Sequence, residues 1–140
     1  MADVGTYLFL PKTTEEAFEF YQAAFGTEYA GNGVMRYTDA PENAGLPDDQ
    51  AHLVMHVGLP ILGDHMLMGT DSLDVNAGDS VQIMLMPDTK DEADTLFAEL
   101  SEGGSDLQPM DDMFWGDYWG SFTDRYGVGW QIDVAGTPPA

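Results

Sequence analysis

The sequence predicts an α+β fold made of two βαβββ modules in a single domain. Two observations predict it. A strand, a turn and a helix start recur at an offset of 76 residues, and three further strand-like runs follow each copy. We expect one domain over 1–140, because 140 residues with 44 % apolar residues can fill one core. The modules are predicted at 4–70 and 80–135, with a polar connector at 71–79.

Each module begins with an apolar run that a proline ends, because proline cannot donate to a sheet ladder. The first runs are 6–10 and 81–86. A helix is predicted to follow each of them. Thr13 with Glu16, and Thr89 with Glu92, have the spacing of a capping box, in which a hydroxyl and a carboxylate reciprocally bind free backbone N–H groups.

Both helices carry one apolar stripe, because their apolar residues recur at spacings of three and four. The first helix is predicted to end at Gly26 and the second at Gly103–Gly104, since glycine adopts the left-handed cap conformation without strain. The stripes are Ala17, Phe20, Tyr21, Ala24 and Phe25 in the first helix, and Ala93, Leu96, Phe97 and Leu100 in the second.

The remaining strands are predicted at 29–37, 52–59 and 66–69 in the first module, and at 107–110, 118–123 and 128–134 in the second. A loop rich in Pro, Gly and Asp fills 39–49, and short glycine turns lie at 62–64 and 126–127. Strand alternation turns His56, Gln82 and Gln131 away from the apolar faces that cover the helices. These three side chains are candidates for a shared polar surface.

Charge is the extreme feature of the composition, with 25 acidic residues, four basic ones and a net charge of -21. Four cations cannot form a basic face, so neither nucleic acid nor an anionic membrane is an expected partner. The imbalance indicates a solvated acidic surface suited to a salty cytoplasm, or attraction of a cationic ligand. The absence of cysteine excludes disulfides, thiolate nucleophiles and cysteine metal sites. No export signal or membrane-length apolar run is present, so we expect a soluble cytoplasmic protein.

Several local strings identify a family. They are Met55-His56-Val57, Leu67-Met68-Gly69-Thr70-Asp71, Phe114-Trp115-Gly116-Asp117 and Thr123-Asp124-Arg125-Tyr126-Gly127-Val128. With the repeated architecture, they make the chain resemble the glyoxalase/bleomycin-resistance/dioxygenase (vicinal oxygen chelate) superfamily, and especially its PhnB-like branch. The resemblance implies a cup-like curved mixed sheet with helices on the convex face and a ligand or metal cleft on the concave face. It also implies a homodimer.

The same resemblance points to four metal-ligand positions, one on the first and one on the last strand of each module. They hold Thr6, Met68, Gln82 and Gln131, whereas metal-using relatives usually have His or Glu. A threonine and a thioether are poor ligands for Mg, Mn, Ni or Zn, so no metal cofactor is expected. Two routes to a metal stay open: the amide oxygens can coordinate, and a register shift by two would bring in Asp133.

The histidines and the tryptophans allow two interpretations each. His52 and His56 lie roughly 13 Å apart on one strand, too far to share a metal, so they are ordinary histidines unless His56 serves as a general base or polar anchor. The aromatic stretch 110–119, which contains Trp115 and Trp119, is either a dimer or core contact or a cleft wall for neutral or cationic ligands.

Two functions therefore compete. The first is a metal-independent small-molecule binding module, and the second is a metal-dependent lyase, isomerase or dioxygenase. PhnB-like proteins often carry a demethylubiquinone methyltransferase label, but the chain has no glycine-rich turn for a nucleotide-like methyl donor. The predicted ligand-binding residues are Thr6, His56, Met68, Gln82, Trp115, Trp119 and Gln131.

Overall fold

Each half of the chain folds in the order β-α-β-β-β, as the internal repeat predicts. The structure is a computed structural model that describes residues 2–76 and 78–136. The chain divides into two compact units, Met1–Asn76 and Ala77–Ala140. The first unit contains β1 (Thr6–Leu10), α1 (Thr14–Phe25), β2 (Met35–Arg36), β3 (Val54–Pro60) and β4 (Met66–Asp71). The second contains β5 (Ile83–Leu85), α2 (Lys90–Leu100), β6 (Ser105–Asp112), β7 (Tyr118–Thr123) and β8 (Gly129–Val134).

The two sheets have the same topology. The first has the strand order β1-β4-β3-β2 and the second the order β5-β8-β7-β6. The first strand of each unit is parallel to the last, and the other neighbours are antiparallel. The predicted α+β class with two βαβββ modules is therefore confirmed.

In the first unit, α1 packs on the middle of the sheet. Phe18 is fully buried, and Gly69 on β4 permits this contact because a Cβ there would lie 2.6 Å from the Phe18 ring. The buried Asp71 carboxylate accepts hydrogen bonds from the backbone N–H of Thr14 at 3.0 Å and of Val54 at 2.9 Å. Thr13 makes no side-chain cap hydrogen bond, so its predicted role in a capping box is wrong. Asp71, 57 residues away, binds the helix start instead.

In the second unit, α2 packs on a sheet whose core residue is the fully buried Trp130. Here the predicted threonine cap is confirmed, because Thr89 Oγ1 accepts from Glu92 N at 3.1 Å. The Glu92 carboxylate accepts from Asp88 N at 3.3 Å, one residue before the predicted partner. The helix ends at Leu100 with Ser101 as its cap, two residues before the predicted end at Gly103, which has a φ of +75°.

Several other boundaries differ from the prediction. The strand expected at 29–37 shortens to Met35–Arg36, because Gly31 and Gly33 adopt positive φ and interrupt extended pairing. The strand expected at 81–86 is only Ile83–Leu85, and the loop at 39–49 contains short 3-10 turns. Among the described residues, neither helix has the length and hydropathy needed to cross a membrane.

Candidate functional site

The second sheet has an open face, which we define as the side carrying Met84, Gln131 and Asp133. On β8 the alternating residues Trp130, Ile132 and Val134 are buried, so Gln131 and Asp133 lie on the opposite side. The register places Met84 beside Gln131 on one neighbouring strand, and Ser121 beside Gln131 and Trp119 beside Asp133 on the other. The face prediction for strand eight is confirmed.

Three predicted site residues form a hydrogen-bonded chain on this face. The Trp119 indole N–H donates to Gln131 Oε1 at 3.0 Å, and Gln131 Nε2 donates to Gln82 Oε1 at 2.8 Å. We call Trp119, Gln131 and Gln82 the amide relay. Each side chain comes from a different part of the second unit, so the relay joins β7 and β8 to the residue that precedes β5.

The end of the relay is shaped by a glycine. A Cβ added to Gly129 would lie 2.9 Å from Gln82 Cγ and 3.3 Å from Gln82 Nε2. The absence of a side chain at Gly129 therefore lets Gln82 lie close over β8, within reach of Gln131. Sequence reasoning missed Gly129, because its role depends on a neighbour 47 residues earlier in the chain.

Two carboxylates border the amide relay. The pKa of Asp133 is raised, first by burial, then by hydrogen bonding with Asp117 and by repulsion from it. Asp117 also accepts a hydrogen bond from the backbone N–H of Gly136 at 3.1 Å. Because Asp133 lies directly opposite Trp119, this pair disfavours anions next to the indole.

Trp115 lies apart from the amide relay in the turn between β6 and β7. The turn is closed by a hydrogen bond from Met113 N to Asp117 O at 2.8 Å. Trp115 packs edge-on against Phe114, with 5.0 Å between ring centroids and an interplanar angle of 88°. Phe114 is 92 % exposed and Trp115 44 %. Trp119 is thus the tryptophan that joins the predicted glutamines, and a ligand-binding role for Trp115 stays a prediction.

The first sheet also has an open face, defined by Tyr7, His56 and Met68. Tyr7 pairs with Met68 in the register of β1 and β4, and Tyr7 Oη lies 3.0 Å from His56 Nδ1. The pKa of Tyr7 is raised by burial and then by the nearby Tyr37, which keeps the phenol protonated. His56 and Met68 are brought to one face as predicted, and Tyr7 is the partner that sequence reasoning missed.

Thr6 lies on the other side of β1. It shares a face with the buried Leu10, and its hydroxyl lies 2.8 Å from His65 Nε2. The prediction that Thr6 is equivalent to Gln82 is therefore wrong, and the repeat explains why. The helix starts Thr14 and Lys90 are 76 residues apart, but the strand ends Leu10 and Leu85 are only 75 residues apart. Tyr7, not Thr6, therefore matches Gln82. Leu8 and Leu10 alternate with Tyr7 and Phe9, so both sides of this strand are apolar and its sequence alone could not show the correct face.

The residues present do not fit a divalent metal. In the part of the chain that the structure describes, no group of three or more His, Asp or Glu side chains is arranged to hold an ion. The side-chain oxygens of Gln131 and Gln82 each already accept an N–H. Asp133, the open alternative ligand, is hydrogen-bonded with Asp117. This donor set lacks the imidazoles and free carboxylates that Zn, Mn or Ni sites use.

Comparison with known protein families identifies the family of this chain. The model of the 3-demethylubiquinone-9 3-methyltransferase family matches residues 2–133. The chain belongs to this family. It is PhnB-like, and its fold is that of the glyoxalase/bleomycin-resistance/dioxygenase superfamily. A search of curated proteins found no match.

Solved structures show the same family and fold. A protein from Pseudomonas aeruginosa is 31 % identical, with a TM-score of 0.82 and coverage of 96 % of this chain and 98 % of that one. A PhnB protein from Bacillus cereus is 25 % identical, with a TM-score of 0.75 and coverage of 96 % and 100 %. A fosfomycin resistance protein from Listeria monocytogenes is 14 % identical, with a TM-score of 0.65 and coverage of 97 % and 94 %, and shows the fold alone.

Proposed function

We propose that this family member binds a neutral or cationic small molecule on its open sheet faces and needs no metal to do so. The observation that carries the proposal is the amide relay on the open face of the second sheet. Polar side chains that form an ordered network beside an aromatic ring are typical of sites that orient a ligand. The half-exposed Trp119 ring supplies stacking area with few rotors to freeze.

The relay also argues for binding rather than metal-assisted chemistry. A Lewis-acid site needs several donors that converge on one point with free lone pairs. Here Gln131 donates to Gln82 at 2.8 Å and accepts from Trp119 at 3.0 Å. No specific observation favours the metal-dependent lyase, isomerase or dioxygenase.

The family's methyltransferase name does not describe a site in this chain. Nucleotide-like cofactors are commonly held by a glycine-rich turn between a strand and a helix, where backbone N–H groups bind them. The corresponding turns here, 11–13 after β1 and 86–89 after β5, contain no glycine. We therefore propose binding without methyl transfer.

The charge of the chain restricts the ligand. With a net charge of -21 and the Asp117 and Asp133 pair next to Trp119, anionic compounds are repelled from the second sheet's open face. The same field makes nucleic acid and anionic membranes unsuitable partners. We also propose a homodimeric state, as the resemblance implies, and a cytoplasmic location.

A ligand screen tests the proposal. Neutral and cationic aromatic compounds would be screened by tryptophan fluorescence, and hits measured by calorimetry against Trp119→Ala and Gln131→Leu. Each change is expected to weaken binding by about 1 to 3 kcal/mol. Tyr118→Phe is the matched control, because Tyr118 neighbours Trp119 on β7 but points to the opposite side, where it binds Asp94. A hit whose affinity is untouched by both site variants would contradict the proposed face.

A further inference from the structure

The direction of hydrogen bonding in the amide relay is fixed by Trp119. An indole N–H is a donor only, whereas a glutamine amide has an acceptor end and a donor end. The atom of Gln131 that lies 3.0 Å from Trp119 Nε1 must therefore be its oxygen. The Gln131 NH₂ group then faces Gln82, so the Gln82 atom that lies 2.8 Å away must also be an oxygen.

This order leaves a donor at the end of the relay. Gln82 presents its own NH₂ group outward, and Gln82 is exposed. Because Gly129 has no side chain, the Gln82 amide can lie close to β8. A Cβ added to Gly129 would be 3.3 Å from Gln82 Nε2. A ligand on this face therefore meets an amide donor at the Gln82 end of the relay, and Gln131 lies between that donor and Trp119. A group that only donates cannot pair with this end.

We propose that the ligand is an uncharged or cationic compound that carries a neutral hydrogen-bond acceptor, such as a ketone or amide oxygen, which accepts from Gln82 Nε2. This inference rests on the proposed function and names its ligand class. Carboxylates and phosphates are also acceptors, but the Asp117 and Asp133 pair and the net charge of -21 select against them. The acceptor is thus a neutral oxygen on an aromatic or apolar body.

Three naphthalene probes of similar size separate this class from others. They are 2-acetylnaphthalene, which has an acceptor, 2-ethylnaphthalene, which has none, and 2-naphthylmethylammonium, which only donates. The full-length protein is expected to bind the ketone about threefold to tenfold more tightly than the hydrocarbon, the worth of one neutral hydrogen bond. The ketone is also expected to shift the Gln82 side-chain NH₂ resonances in a ¹H–¹⁵N spectrum.

A single substitution, Gln131→Glu, should reverse the direction of the hydrogen bond between residues 131 and 82. In Gln131→Glu both carboxylate oxygens accept, one from Trp119 and one from Gln82, so the Gln82 amide turns and presents its oxygen outward. The ketone is then expected to lose its advantage over the hydrocarbon, while the ammonium probe gains at least threefold. Ser121→Glu is the control for charge alone, because Ser121 is the register neighbour of Gln131 on β7.

Gln82→Glu gives a second version, since it replaces the outward NH₂ group with an oxygen and adds one negative charge, for which Ser121→Glu is again the control. The expected result is the same loss of ketone preference.

If the ketone and the hydrocarbon bind the wild type equally, the acceptor inference is overturned while the binding face stands. If no probe binds at its solubility limit, the proposed function fails and this inference fails with it. If Ser121→Glu changes the ratios as Gln131→Glu does, charge explains the effect and the relay direction does not matter.

Discussion

The indole N–H of Trp130 donates to the carboxylate of Asp124 at 2.8 Å in the interior of the second unit. The other Asp124 oxygen accepts from the backbone N–H groups of Tyr126 at 2.8 Å and Val128 at 3.0 Å. Asp124 is 2 % exposed and Trp130 fully buried. The Thr123-Asp124-Arg125-Tyr126-Gly127 string is therefore a structural motif that ties the turn between β7 and β8 to the core.

Asp124→Asn should destabilise the fold by about 2 to 3 kcal/mol. The reason is that an amide places its NH₂ group against one of the N–H donors and replaces charge-assisted hydrogen bonds by neutral ones. Denaturant unfolding measures the change, with the exposed Asp79→Asn as the control for loss of one negative charge. Equal unfolding midpoints for the two variants would contradict the structural role of Asp124.

Asp133→Asn should stabilise the protein at neutral pH. The pKa of Asp133 is raised above its ordinary value of 3.8, so the folded state favours the protonated carboxyl. A group with a raised pKa contributes most to the stability of the fold below its pKa in the unfolded state. It loses that contribution as pH rises through its pKa in the folded state. The asparagine variant avoids this loss. Thermal melts are expected to show a higher midpoint than wild type at pH 7 and no advantage near pH 3, and an unchanged difference across that range would be the contrary result.

Much of the fold could be predicted from the sequence, because short-range patterns determine it. The bounds of β1 and β7, and the end of α1 at Gly26, follow from apolar runs and a glycine cap. What failed depends on distant partners. Asp71 binds the N–H of Thr14 from 57 residues away in place of the predicted Thr13 cap, and nothing near Thr13 in the sequence indicates it.

Only part of the candidate site could be predicted, again because short-range patterns are informative and contacts with distant residues are not visible in the sequence. Alternation along a strand places Gln82, Gln131 and His56 on the open faces without any knowledge of the neighbours. It does not show which side of β1 the helix covers, and a repeat offset of 76 instead of 75 put Thr6 where Tyr7 lies. The pairing of Tyr7 with His56 at 3.0 Å crosses strands, so it could come only from the structure.

High salt should stabilise the folded protein. The net charge of -21 makes carboxylates repel one another, and the screening length falls from roughly 30 Å at 10 mM salt to roughly 3 Å at 1 M. The midpoint of thermal unfolding is expected to rise across this range of sodium chloride. A midpoint that stays constant would show that the acidic surface is not an adaptation to salt.

The protein is predicted to form a homodimer through the exposed aromatic turn. Phe114 is 92 % exposed and packs on Trp115, and an aromatic pair of this kind gains apolar burial on association. Light scattering at micromolar concentration is expected to give twice the chain mass of 15.3 kDa for wild type and a lower mass for Phe114→Ser. Leu73→Ser, at a residue that is 55 % exposed elsewhere, is the control. A wild-type mass of one chain would refute the dimer.

The central claim is that the open sheet faces bind a small molecule without a metal, and calorimetry on chelator-treated protein tests it most directly. The affinity of one aromatic hit from the ligand screen is measured before and after addition of Mg, Mn, Ni or Zn, with elemental analysis of the natively purified protein alongside. We expect the same affinity in every titration and far less than one metal per chain, because Gln82 and Gln131 direct their oxygens to N–H donors. Binding that appears only after a metal is added, or a native content near one metal per chain, would contradict the account.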